Sequence, residues 1–224
     1  NENAGKGRHE DGVYNILLLG LDKDSGNLAD ANIIVTINQN KKSIKLTSVM
    51  RDILVQIPGS SNNKLNTPYG KGGIQLVYDV FATNFDIKLD GYVAVNFSSL
   101  TKVIDKLGGV SMYLSPAEAE YLNTSNYIED VNSRNLVAGT QTLNGSQAVG
   151  YSRIRYLGND DYERTERQRK LLNAIYEKFR NSNLTKLISL METVLPLVTT
   201  DLDSGEIVKM ATETLNAGLS DLDQ

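Results

Sequence analysis

Apolar residues along the chain alternate between two regimes, short runs or period-two alternations and stripes spaced three and four apart. Tyr14-Asn-Ile-Leu-Leu-Leu-Gly20 is a continuous apolar run closed by glycine, the pattern of a central strand buried on both faces. Residues 31–38 and 43–50 flank the polar turn 39–42 and predict a hairpin whose second strand delivers Arg51-Asp52 at its end. Residues 53–58 continue as an edge segment that Pro58 stops. After Pro68-Tyr-Gly-Lys-Gly-Gly73, the positions Ile74, Val77, Tyr78, Phe81 and Phe85 form one face of an amphipathic helix. Residues 92–97 read as a strand. Leu100, Val103, Ile104 and Leu107 then line a helix that ends at Gly108-Gly109, and residues 110–114 form another strand. Ser115-Pro-Ala-Glu118 is a capping box with proline in the first helical turn.

Residues 122–139 are polar and irregular and receive no chemistry. A short helix over 146–150 leads into an arginine-rich segment. The following helix keeps one stripe, Arg164, Gln168, Leu171, Ile175 and Phe179, polar at its start and apolar farther along. Asn183 and Asp203 are expected caps of two further helices, Glu206 completing a box with Asp203, and Pro196 punctuates between them. Strands alternating with helices, plus one hairpin, predict an α/β layered single domain with a mixed central sheet flanked by helices. The polar stretch 1–12 reads as a flexible leader or tether and residues 13–224 as the domain.

Composition narrows the chemistry. A chain of 224 residues with 40% hydrophobic and 22% charged residues can bury one sizeable core. No run approaches the eighteen or so apolar residues that a membrane span needs, so nothing in this sequence reads as a membrane span, and any membrane anchor would lie upstream of it. Zero cysteine excludes disulfides, cysteine nucleophiles and thiolate metal sites. The one histidine, His9, lies in the leader, so any metal is expected to be a hard ion held by carboxylates.

Charge is distributed unevenly. Five of the nine arginines, Arg153, Arg155, Arg164, Arg167 and Arg169, fall within 147–170 of a chain whose net charge is -4. Two residues apart in an extended segment, Arg153 and Arg155 would share a face. Arg164 and Gln168 are one helical turn apart. Such forks suit a multiply charged oxyanion. The same stretch also fits a solvated face, with Glu163–Arg167 and Glu166–Lys170 as surface i,i+4 pairs of small value, and both readings stay open on these residues alone. Asp22, Asp24 and Asp30 follow the first strand, where α/β sheets place ligands, although Asp24 reads as an ordinary loop residue. The glycines at 70, 72 and 73 could admit a phosphate or simply lead into the helix.

Taken in order, nine blocks resemble the LytR-CpsA-Psr family of cell-envelope phosphotransferases. They are NILLLGLD from Asn15, LADANIIVTIN from Leu28, SIKLTSVMRD from Ser43, NKLN from Asn63, YGKGG from Tyr69, VNF from Val95, IDKLGGV from Ile104, TLNGSQAVGYSRIRY from Thr142 and DYERTERQRK from Asp161. The resemblance implies an extracytoplasmic α/β domain facing the wall of a Gram-positive-type cell and tethered by an upstream membrane helix. It implies transfer of a glycopolymer from a polyprenyl-pyrophosphate carrier to peptidoglycan, assisted by Mg²⁺.

Matched one by one, Asp22 and Asp30 resemble the metal-associated aspartates. Arg51, Lys64, Arg153, Arg155, Arg164 and Gln168 resemble the pyrophosphate ligands. Asp161, Arg51 and Arg164 take the catalytic positions. The chain departs from the family in having Leu28 where many members carry arginine two residues before the second aspartate. The carrier's tail needs an apolar slot, for which Phe81, Phe85, Val103, Leu171 and Ile175 are candidate walls. Two other readings are a polyprenyl-pyrophosphate hydrolase with water as acceptor and a noncatalytic anchor for an anionic wall polymer. The acidic balance argues against nucleic acid as a partner.

Overall fold

The structure, a computed structural model, describes residues 6–23, 25–155, 157, 160–180, 184–216 and 222–223. In chain order the elements are β1 (Val13–Asp22), β2 (Leu28–Asn38), β3 (Ser43–Ser48), β4 (Leu54–Val55), β5 (Asn63–Lys64), α1 (Pro68–Phe85), β6 (Gly91–Asn96), α2 (Phe97–Lys106), β7 (Val110–Leu114) and α3 (Pro116–Thr124). They continue with β8 (Gly139–Leu143), α4 (Gly145–Arg153), α5 (Asp160–Arg180), α6 (Leu184–Val194), β9 (Thr199–Thr200), α7 (Ser204–Asn216) and β10 (Leu222–Asp223). Contacts group these into two compact units. One holds the described residues up to Asn96 and from Val198 onward, and the other is Phe97–Leu197.

The first unit is built on a six-stranded sheet in the order β10-β3-β2-β1-β6-β9. It is mixed, as the sequence predicts: β1 runs parallel to β6 and β3 to β10, while the other neighbours are antiparallel. The apolar run of β1 lies between β2 and β6. Leu17 and Leu19 are buried there with Val77, Tyr78 and Phe81 of α1. Each such side chain contributes about 1.5–3 kcal/mol by leaving water. The β1–β2 register slips between Gly20 and Leu21: Ala31 pairs with Gly20 and Ala29 with Leu21. Asp30 is therefore the extra residue of a β-bulge, a device that re-aims one side chain without ending the strand.

The expected helix after Pro68 is present but interrupted. Gly72 and Gly73 leave helical geometry, and Gly73, with φ 62° and ψ -159°, occupies a region that only glycine adopts readily. The Asp203–Glu206 capping box forms in both directions, at 2.8 and 2.9 Å. Asn183, its expected counterpart, lies outside the described residues, as does Asp24.

In the second unit, α2, α4 and α5 pack together, α5 also lies against β7, and Ile104, Leu114, Leu143, Val149 and Tyr151 are among the buried core. The β7–β8 ribbon has a strand that the sequence pattern did not predict, since Gly139–Leu143 alternates half-buried and exposed residues and buries only Leu143. The helix expected over 146–150 is longer. Asn144 and Gln147 form a reciprocal capping box, at 2.9 Å each way, and the helix then runs to Arg153. Arg153 is thus a helical residue, and the extended geometry expected to pair it with Arg155 is replaced by a helix end followed by coil.

Candidate active site

In the first unit, four charged side chains from three segments connect. Arg51, just after β3, donates from Nη1 to Asp30 Oδ1 at 2.8 Å and from Nε to Asp52 Oδ2 at 3.3 Å. Lys64 of β5 reaches Asp52 Oδ1 at 2.6 Å. The Lys64 hydrogen bond, with the Arg51 charge beside it, holds the Asp52 carboxyl below its ordinary range. Backbone bonds align the segments: the Asn66 N–H donates to the Arg51 carbonyl at 3.1 Å, and the Ala29 N–H donates to the Asn66 carbonyl at 2.9 Å. Arg51 and Asp30 are mostly covered, whereas the Lys64 side chain is 58% exposed.

Asp22 ends β1 and accepts a hydrogen bond from Ser25 Oγ at 2.9 Å. Gly70 backs onto this loop so closely that a Cβ there would sit 2.6 Å from the Gly26 carbonyl oxygen, which gives the first glycine after Pro68 a packing reason.

In the second unit, Arg153 closes α4 with its guanidinium carbon 4.7 Å from the centre of the Phe97 ring and 5.5 Å from that of Tyr127. Each contact lies within cation–π range and contributes about 0.5–1 kcal/mol where solvent has access. Arg155 is exposed in the following coil. Arg164 and Gln168 lie one turn apart on α5, the first only 5% exposed and the second half-buried. Asp161 belongs to the start of α5, and its side chain lies outside the described residues.

Arg167, expected to be a surface partner of Glu163, is buried. Its Nη2 donates to Glu163 Oε2 at 2.8 Å and to the Leu157 carbonyl at 3.1 Å. Its Nε donates to Glu118 Oε1 at 3.1 Å, and its Nη1 to the Ile154 carbonyl at 3.5 Å. Burial, with Glu118 beside it, pushes the Tyr151 phenol well above its ordinary range. A groove of about 1020 Å³ has Tyr113, Glu118, Tyr151, Leu157, Arg167 and Lys170 in its lining. Arg153, Arg155, Arg164 and Gln168 do not line it, nor do the candidate lipid walls. Of those walls, Phe81 and Phe85 pack ring to ring at 5.3 Å in the first unit. Val103 and Leu171 are buried in the second unit, and Ile175 is half-buried against its core.

Sequence reasoning missed Phe97, Tyr127 and Glu118 as supports of the arginine segment. Tyr127 lies in the stretch that received no chemistry. Tyr127 is the aromatic residue of that stretch, and with Tyr121 just before it, 5.8 Å away ring to ring, it was the one available signal.

The donor set suits a hard cation only in part. Among the described residues no group of three or more carboxylate or histidine side chains could enclose an ion. Mg²⁺, however, ordinarily takes one or two carboxylates and fills its shell with water and phosphate oxygens. Asp22 and Asp30 fit that pattern. Asp30 keeps Arg51 on one oxygen, and both carboxylates belong to the β1–β2 pair.

An α/β chain that fixes guanidinium groups with aromatic rings and carboxylates, and has neither cysteine nor a histidine among these groups, is equipped to handle phosphate by charge neutralisation. The chain belongs to the LytR_cpsA_psr family, which it matches over residues 1–224. It is 32% identical over 212 residues to the polyisoprenyl-teichoic acid–peptidoglycan teichoic acid transferase TagU of Enterococcus faecalis, covering 91% of this chain and 66% of that protein. The chain spans no more than about two thirds of the length of this and other curated relatives, 44% in the case of the biofilm regulatory protein A of Streptococcus mutans.

Among solved structures, TagT bound to LI-WTA superposes with a TM-score of 0.77 at 26% identity, covering 96% of this chain and 79% of that one. The family protein YwtF (TagT) with bound octaprenyl pyrophosphate lipid superposes with a TM-score of 0.70 at 25% identity, covering 96% and 78%. The expected mixed-sheet α/β class is thus shared with solved members of the family.

Proposed function

We propose that the chain is the catalytic part of a Mg²⁺-assisted phosphotransferase that moves a glycopolymer from a polyprenyl-pyrophosphate carrier to peptidoglycan, on the outer face of a membrane to which an upstream segment anchors it. One observation carries this reading. The arginine segment, supported by aromatic rings at Arg153 and by carboxylates at Arg167, belongs to a chain that superposes over 96% of its length on a relative with octaprenyl pyrophosphate bound.

By their places in the family motifs, Arg153, Arg155, Arg164 and Gln168 are the phosphate ligands carried by the second unit, and Arg51 and Lys64 are the cationic ligand positions carried by the first. Fixed guanidinium groups lower the repulsion met by an incoming hydroxyl and stabilise charge as it moves to the leaving group. Asp22 and Asp30 would hold Mg²⁺, which when bound supplies additional neutralisation of phosphate charge. The acceptor hydroxyl oxygen attacks the phosphorus that bears the glycan. The bond from that phosphorus to the bridging oxygen breaks, and polyprenyl phosphate leaves with the electron pair. The hydroxyl proton passes to a carboxylate, Asp161 being the candidate by position in the family motif.

The test uses a labelled polyprenyl-pyrophosphate glycan, Mg²⁺ and peptidoglycan. Covalent label on peptidoglycan is expected, reduced by about 100-fold in Arg153→Ala and Arg155→Ala. Release of free glycan phosphate alone would replace transfer by hydrolysis. Salt-sensitive binding of wall polymer without any turnover would leave only an anchor.

A further inference from the structure

We infer that Arg167 is a positioning residue whose fork, fixed by Glu118, holds the backbone segment that presents Arg155. The inference rests on the pyrophosphate reading of the arginine segment. Its Ile154 and Leu157 acceptors bracket Arg155, one immediately before it and one two residues after, and residues 154, 155 and 157 belong to neither helix nor strand. Ile154 is also the C-cap of α4, so this bond falls just beyond the helix that Arg153 ends, and the Arg153 guanidinium is held separately by the Phe97 and Tyr127 rings.

The anchor is itself fixed. Glu118 divides its carboxylate, Oε2 accepting from Ser115 N and Oγ at 3.0 Å each in the α3 capping box and Oε1 accepting from Arg167. With the Arg167 and Glu118 side chains only 7% and 14% exposed, water competes little for these bonds. A lysine could keep the charge but not the planar set of donors that reaches two carboxylates and two carbonyls at once. An ion pair serving stability alone would need only the carboxylates. The two loop carbonyls are what couple this network to an anion-binding side chain, so that a small displacement here moves Arg155.

The experiment is a double-mutant cycle of Arg167→Lys with Arg155→Ala, read by calorimetric affinity for inorganic pyrophosphate and by donor KM and kcat, with circular dichroism as the folding check. In the unmodified background Arg167→Lys is expected to weaken pyrophosphate binding about 10-fold, because Arg155 is then displaced from the anion it holds. In the Arg155→Ala background the same change is expected to weaken it less than about 2-fold. Equal reductions in both backgrounds, or none in either, overturn the positioning role.

Should Arg167→Lys not fold, Glu118→Gln retains the capping acceptor and removes the charge that fixes Arg167. It must show the same non-additivity with a smaller reduction, and additive reductions overturn the inference equally. If the unmodified chain binds no pyrophosphate, the functional reading fails and takes this inference with it. Binding that survives while the cycle is additive removes the positioning role alone.

Discussion

Arg51 and Arg167 each bridge two carboxylates, yet they belong to different kinds of site. Arg51 joins Asp30 and Asp52, and Asp52 is shared with a Lys64 side chain that is mostly in water. Arg167 joins Glu118 and Glu163 and adds two backbone carbonyls, with its side chain almost wholly enclosed. The first arrangement can exchange partners on its Lys64–Asp52 side, because solvent already reaches that pair. The second cannot exchange without leaving a charge uncompensated in the interior. Carboxylate count therefore does not distinguish Arg51 from Arg167, whereas enclosure and the number of backbone acceptors do.

The largest expected effect breaks the enclosed member. Arg167→Ala leaves Glu118 buried without its cation, and removal of one partner of such a pair costs about 3–5 kcal/mol. Denaturant unfolding of the variant is expected to show that destabilisation. A change below about 1 kcal/mol would put Arg167 in the same class as a surface pair. Next comes Arg51→Ala, for which transfer activity is expected to fall by about 100-fold while stability changes far less than in Arg167→Ala. Equal destabilisation of the two variants would erase the contrast.

The hydrophobic pattern made much of the sheet and most of the helices legible. The run Ile16–Gly20 read as a central strand and the period of Val77, Tyr78 and Phe81 as one face of a helix, and the structure packs the two into one core. What escaped is non-local. Arg167 and Glu118 are 49 residues apart, so helical spacing revealed only the Glu163 half of the network. The Arg153–Tyr127 contact joins a motif residue to a stretch with no periodicity at all. The bulge at Asp30 has no sequence mark either, since it arises from the register with β1. β8 escaped because threonine and glutamine fill most of its positions.

A third effect concerns tyrosines. Burial and nearby negative charge push Tyr92 up to about 12, and Tyr78 and Tyr151 are raised further, Tyr78 donating to Asp201 at 2.7 Å and Tyr151 lying beside Glu118. For a raised tyrosine the folded state holds its proton more tightly. The stability it contributes is complete below the ordinary value near 10 and is lost as pH rises through the raised folded value, about 12 for Tyr92. Ultraviolet absorbance is expected to show Tyr78, Tyr92 and Tyr151 ionising late and together with unfolding. Titration of these three near the ordinary value in a still folded chain would contradict their enclosure.

The smallest effect tests the open member of the comparison. Asp52 is lowered first by the Lys64 hydrogen bond and then by the Arg51 charge, so its contribution has the opposite pH sense to that of the tyrosines. It is present above the ordinary carboxylate value near 4 and is lost as pH falls through the lowered folded value. Lys64→Ala removes the larger of these supports. Because Lys64 is mostly exposed, the destabilisation at neutral pH is expected to stay below about 1 kcal/mol and to shrink with added salt. The thermal midpoints of the variant and the unmodified chain should differ slightly at neutral pH and converge once Asp52 is protonated in both. A difference that persists in acid would mean that Lys64 acts through packing of its stem. In that case the Arg51 cluster would share the fixed character of the Arg167 network.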